Sequence, residues 1–159
     1  MIILGIDPGL ERVGFGVIKR EGSRMQMLEC GLIQTPRIAI TERLAQIHRE
    51  VLALIEKHRP DAMATERQIF AANKTTALDV AKALGVILLA SSEKGLEWSE
   101  YTPPEVKQGV VGNGAADKKQ VEFMVTKLLS LDKPPKPDDV ADALAIAICH
   151  ALRTRIQIR

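Results

Sequence analysis

The 159 residues are 46% apolar, only 3% aromatic, and carry a formal net charge of +2. That length predicts one domain over residues 1–159, and the apolar share is that of a chain with a real core. A charge so near zero excludes any argument for nucleic-acid binding from bulk electrostatics alone. The longest apolar stretch, "ALGVILLA" at 83–90, is too short to cross a bilayer, so no membrane role is expected. Cys30 and Cys149 form no C-x-x-C pair and no export signal opens the sequence. A cytoplasmic setting with free thiols is therefore expected.

In chain order, residues 2–6 form a short apolar run closed by Asp7-Pro8-Gly9, a buried strand with a turn after it. β-prone residues resume at 14–18, "KREGS" makes a hairpin-like link, and 25–34 supply a third strand. The period then changes. Leu44, Ile47, Val51, Leu54 and Ile55 share one helical face, and Arg59-Pro60-Asp61 ends that helix. Residues 62–65 are a short strand delivering Glu66, and "RQIFAANK" reads as a loop or frayed turn. A helix over 76–93 and a strand over 96–101 follow. "TPPE" starts the next helix, with Thr102 as N-cap, Pro103 in the first turn and Glu105 closing a capping box; it ends near "GNG" at 112–114. Further helices are expected over 116–131 and 138–154, joined by the stiff "DKPPKP". The order β-β-β-α-β-α-β-α-α-α implies an α/β fold: a five-stranded mixed sheet flanked by helices.

Four carboxylates stand out within this order. Asp7 closes the first strand and Glu66 the fourth; if those strands are parallel neighbours, both emerge at one sheet edge, where open α/β sheets place their sites. Asp139 and Asp142 lie three apart at the start of the last helix and so share a face. Each has a plainer reading alone: a turn aspartate, a solvated strand end, first-turn acids favoured by the helix dipole. Converging together, they repel unless one protonates or a cation binds. Hard divalent cations take oxygen ligands, and two such ions about 4 Å apart can serve an in-line phosphoryl displacement. Lys107, Lys118 and Lys119 lie near enough in this order to neutralise charge at a phosphate, though any one of them alone reads as a solvated lysine. Against a net charge of +2, withdrawing four acids into a site leaves the rest of the chain at +6, a modest attraction for phosphate.

"GIDPGLERVGFGVI", "ATERQIFAANK", "VKQGVVGNGAADKKQV" and "DDVADALAIAI" together resemble the RuvC family of bacterial Holliday-junction resolvases, crossover junction endodeoxyribonucleases of the ribonuclease H-like superfamily. The motifs occur in family order over nearly the whole chain. The resemblance implies a ribonuclease H-like fold and a homodimer on four-way junction DNA. It also implies paired symmetrical nicks leaving 5′-phosphate and 3′-hydroxyl ends, in recombination and repair. Asp7, Glu66, Asp139 and Asp142 match the family's acidic tetrad, implied ligands of two Mg²⁺ ions, with Mn²⁺ an alternative. Asp138 is an extra neighbour, and the i, i+3 relation to Asp142 favours Asp139. Lys107 and Lys118 match the functional lysines, and RuvA and RuvB are the implied branch-migration partners. The family's aromatic three residues after the glutamate is here Ile69, with Phe70 beside it. Phe70 suits stacking on an unpaired base. Asn73, Lys74 and Lys119 join it as expected DNA contacts.

Two other function classes remain open at this point. A non-cleaving junction-binding module has no use for buried anions facing phosphate. An actin-like ATPase fragment, suggested by "GID-x-G", normally needs two such domains, and no P-loop pattern is present. His48 and His58 read as surface or boundary residues. His150 reads as a cation at a helix C-terminus, and Trp98 as a core residue between sheet and helix. The helix carrying "ALDVAKALGVILLA" reads equally as a dimer interface or as core.

Overall fold

The computed structural model describes residues 1–67 and 74–154, and the side chains of all of these but 74 and 75. Three antiparallel strands come first: β1 (Ile2–Asp7), β2 (Arg12–Glu21) and β3 (Arg24–Gln34). Then follow α1 (Ile40–His58), β4 (Ala62–Glu66), α2 (Lys74–Glu93) and β5 (Glu97–Tyr101). Three helices close the described chain: α3 (Pro103–Val111), α4 (Lys118–Leu128) and α5 (Asp138–Arg153). The sheet order is β3-β2-β1-β4-β5, with β4 parallel to both β1 and β5. The expected element order and mixed five-stranded sheet are both present.

Strand alternation divides the core in two. Leu4 and Ile6 of β1, with Val13, Phe15 and Val17 of β2, pack toward α1 and α2 through Ile47, Val51, Ala83 and Ile87. Ile3, Ile18 and Ala64 point the other way, toward α3, α4 and α5. The α5 helix is buried along most of its length, from Val140 to Ala151 apart from Asp142. A helix apolar nearly all round belongs inside, which its alanine-rich sequence permits. It lies almost on the sheet. A Cβ at Gly5 would stand 2.2 Å from the Ala143 carbonyl oxygen, and one at Gly14 would stand 2.0 Å from the Asp139 carbonyl oxygen. Those two glycines let the helix bearing the last two carboxylates approach β1 and β2.

Two helix starts are closed by capping boxes, the first as expected and the second not anticipated from the sequence. The Thr102 amide and hydroxyl both donate to Glu105 Oε2, at 2.8 and 2.9 Å. The Asp117 carboxylate accepts from the Gln120 amide, and the Gln120 side chain accepts from the Asp117 amide, both at 2.9 Å. This second box starts α4 at Lys118, two residues later than expected, and the helix ends at Leu128 rather than 131.

Two sequence readings need correction, and a third, left open, is resolved into two faces. Trp98 is 38% exposed. It sits on edge strand β5, with its indole N–H donating to Thr65 Oγ1 at 3.1 Å, not wedged between sheet and helix. His150 is buried, and burial pushes its pKa below the ordinary value. Its Nδ1 meets the Tyr101 hydroxyl at 2.8 Å, so it is a neutral core partner rather than a cation at the helix end. Arg153, stacked over the Tyr101 ring, supplies positive charge in that last turn. The α2 helix is core and surface at once: Ala83, Ile87 and Ala90 are buried, while Leu78 and Leu89 are 57% and 51% exposed.

Candidate active site

The side-chain period of a strand places Asp7 on the same face as Ile3 and Gly5, and Glu66 on the same face as Ala62 and Ala64. Both therefore emerge on the α5 side of the sheet. The parallel register pairs Ile6 with Thr65, so Asp7 and Glu66 follow at the matching ends of adjacent strands. The first turn of α5 comes down over β2 at Gly14, the residue paired with Asp7, and brings Asp139 and Asp142 to the same edge. All four carboxylates anticipated from sequence thus converge from β1, β4 and α5.

Their electrostatics record the meeting. The Asp7 carboxyl is pushed up to about 7, first by burial and then by Asp142, Glu66 and Asp139, with Lys118 opposing. Burial also raises Glu66, aided by Asp142 and opposed by Lys107 and Lys118. Burial raises Asp142 in turn, with Lys118 the main opposing charge. Lys118 Nζ lies 3.1 Å from Asp138 and 3.6 Å from Asp142. Lys107, Lys118, Glu66 and Asp142 line a cleft of about 180 Å³ floored by Val106 and Val121. Lys119 is exposed on α4 and does not line that cleft. Phe70 and Asn73 fall outside the described residues, as do Ile69 and most of the "RQIFAANK" loop; of Lys74 only the backbone, at the start of α2, is described.

Asp138 and Asp139 separate cleanly. Asp138 is exposed and its carboxyl is held below the usual range, chiefly by Lys118. Asp139 turns inward: its Oδ2 is buried without a hydrogen bond, although Arg12 Nη2 lies 3.2 Å away as an ion-pair partner. Arg12 is the site residue that sequence reasoning missed. The available signal was its place two residues before Gly14, on the same face of β2.

Among the described residues, no three His, Cys, Asp or Glu side chains are already grouped as a shell for one metal ion. The donor set nonetheless fits a hard cation. It is all oxygen, it is anchored at two strand ends and on the start of α5, and it contains a carboxylate raised by burial and then by its neighbours and a buried oxygen lacking a hydrogen bond.

The family described as crossover junction endodeoxyribonuclease RuvC matches residues 3–150. The chain belongs to the RuvC family. The crossover junction endodeoxyribonuclease RuvC of Alkaliphilus oremlandii is 54% identical over 95% of this chain and 93% of its own length. A solved structure of Thermus thermophilus RuvC in complex with a Holliday junction substrate is 39% identical. It superposes with a TM-score of 0.92 over 96% of this chain and 93% of that one. The yeast mitochondrial Holliday junction resolvase Ydc2, 17% identical over 94% of this chain and 78% of its own, shares the fold at a TM-score of 0.66. The fold is ribonuclease H-like, and the chain is an endonuclease of crossover junctions. Nucleases of the RuvC family are metal-dependent. No helix among the described residues is long and apolar enough to cross a membrane.

Proposed function

We propose that residues 1–159 act as one nuclease domain that pairs with a second copy to nick Holliday junctions symmetrically, with Asp7, Glu66, Asp139 and Asp142 holding Mg²⁺. The observation that carries this reading is the Asp7 carboxyl, raised to about 7 at the end of β1 by burial and by three other carboxylates. In a nuclease whose substrate is itself anionic, such a cluster is useful only with cations. Divalent ions bound there, two per site, would polarise the phosphate and supply the attacking hydroxide at neutral pH.

The chain's own groups do the rest. The strand ends fix Asp7 and Glu66, and the tight seating of α5 on Gly5 and Gly14 fixes Asp139 and Asp142 opposite them. Preorganised charge of this kind needs no rearrangement as the reaction proceeds. Lys107 and Lys118 line the cleft beside Glu66 and Asp142, placed to neutralise charge gathering on the scissile phosphate. Phe70, Asn73, Lys74 and Lys119 are assigned to DNA contact, Phe70 by stacking on an unpaired base. The products are 5′-phosphate and 3′-hydroxyl ends.

Exposed Leu78, Ala81, Gly85 and Leu89 recur on one side of α2, an apolar face suited to a two-fold contact. RuvA and RuvB are proposed partners, and the cytoplasm the setting, both by family. The test is cleavage of a labelled mobile four-way junction beside a linear duplex of the same sequence, with Mg²⁺, Mn²⁺ or chelator. Paired symmetrical nicks in the junction alone, abolished by chelator, are expected. Binding without cutting in either metal would point to a binding module, and equal degradation of both substrates would remove junction specificity.

A further inference from the structure

Arg12 enters the site from the mouth of β2. It shares a strand face with Gly14 and Gly16, the face against which α5 packs. Its guanidinium Nη2 lies 3.2 Å from Asp139 Oδ2, while half of its side chain stays exposed. It lines two clefts on either side of Asp139. One holds Lys118, Asp138 and Asp142, and the other holds Gly9, Arg43 and Asp79. Asp139 Oδ2 accepts no hydrogen bond, so the pair is held by charge and not by the fork geometry that makes arginine–carboxylate pairs strong.

From this geometry we infer that Arg12 is an internal counter-ion for Asp139 that an arriving cation displaces, and that the released guanidinium then takes a backbone phosphate of the DNA. The inference rests on the metal site proposed above and adds a coupling to it. Arg12 competes with the cation when DNA is absent and becomes a DNA ligand when the cation is seated. Lys118 differs, because its shorter contact is to exposed Asp138, outside the tetrad. Arg12 is a positioning residue here; it holds one ligand ready and touches the DNA away from the reacting atoms.

The experiment uses the full chain and Arg12→Ala, with Arg12→Gln as a second neutral variant of similar length. Calorimetric titration with Mn²⁺, without DNA, is expected to show binding about 3- to 5-fold tighter in both variants, the scale of a partly exposed ion pair. Junction binding is then measured against salt, in Ca²⁺ with the DNA checked for integrity, and again in chelator. The slope of log affinity on log salt is expected to become less steep by about 1 in the variants with Ca²⁺ and to stay unchanged in chelator. Mn²⁺ affinity that is unchanged or weaker in both variants would overturn the competition. A slope that changes equally in both conditions would overturn the release. A wild-type chain that takes up no Mn²⁺ would overturn the metal site beneath both.

Discussion

Asp7→Asn separates folding from catalysis at one atom. In the unfolded chain the carboxyl ionises near 3.8, and in the folded one near 7, because burial and three carboxylates oppose its charge. Between those values the native state holds a proton that the unfolded state has lost. Stability therefore falls as pH rises through that window, and above it the ionised carboxylate is a constant burden. A shift of about 3 units corresponds to at most about 4 kcal/mol at about 1.36 kcal/mol per unit. The amide of Asn recovers roughly half, since it is still a buried polar group in need of partners. In chelator at pH 8, the variant should be about 2 kcal/mol more stable, or roughly 4–8 °C in melting temperature for a chain of this size. That advantage should shrink as pH falls toward 4. Mg²⁺ should narrow or reverse it, because the ion stabilises the wild type by mass action. Junction cleavage should vanish while junction binding persists. The assay is thermal unfolding by circular dichroism across pH, with and without Mg²⁺, beside the cleavage gel. A variant no more stable than wild type at pH 8 in chelator, or an advantage flat in pH, would refute the electrostatic account.

Lys118→Ala should lower the single-turnover cleavage rate about 10- to 100-fold while changing junction affinity far less, as expected for a group that stabilises developing charge. Equal losses in rate and affinity would make it a docking residue. Gly14→Ala drives a Cβ to 2.0 Å from the Asp139 carbonyl oxygen, a backbone atom that cannot step aside. It should cost about 3 kcal/mol or more in urea unfolding and displace the start of α5, so that cleavage falls even where the protein remains folded. Leu89→Asp places a charge on the exposed face of α2; sedimentation should show monomer, and junction nicks should lose their pairing. A dimer of wild-type strength would put the two-fold contact elsewhere.

Much of this molecule follows from local pattern. The switch from alternating to helical period at α1, the capping residues Thr102 and Glu105, and the Asp-Pro-Gly closing β1 each specify an element through neighbours a few residues away. The order of elements then implies a mixed sheet, but leaves the parallel pairing of β4 with β1 as a condition, which the structure meets. On that condition the meeting of Asp7 and Glu66 was legible from the sequence, and the resemblance to the RuvC family added Asp139 and Asp142 to the set. What local pattern cannot hold is the distance of closest approach between elements far apart in the chain. Seating α5 on Gly5 and Gly14 buries Asp139 Oδ2 and aims Asp138 outward at Lys118. The same packing brings Arg12 from the far end of the β1–β2 turn onto a candidate ligand. It also turned His150 from an expected helix-end cation into a neutral partner of Tyr101, because burial, not sequence position, decides whether an imidazole holds its charge. Sequence alone picked out the carboxylates and the strand ends and helix start that carry them, because those positions are set by local pattern. Tertiary packing decided which oxygens are buried, which cations sit against them, and so what a metal ion must displace to bind.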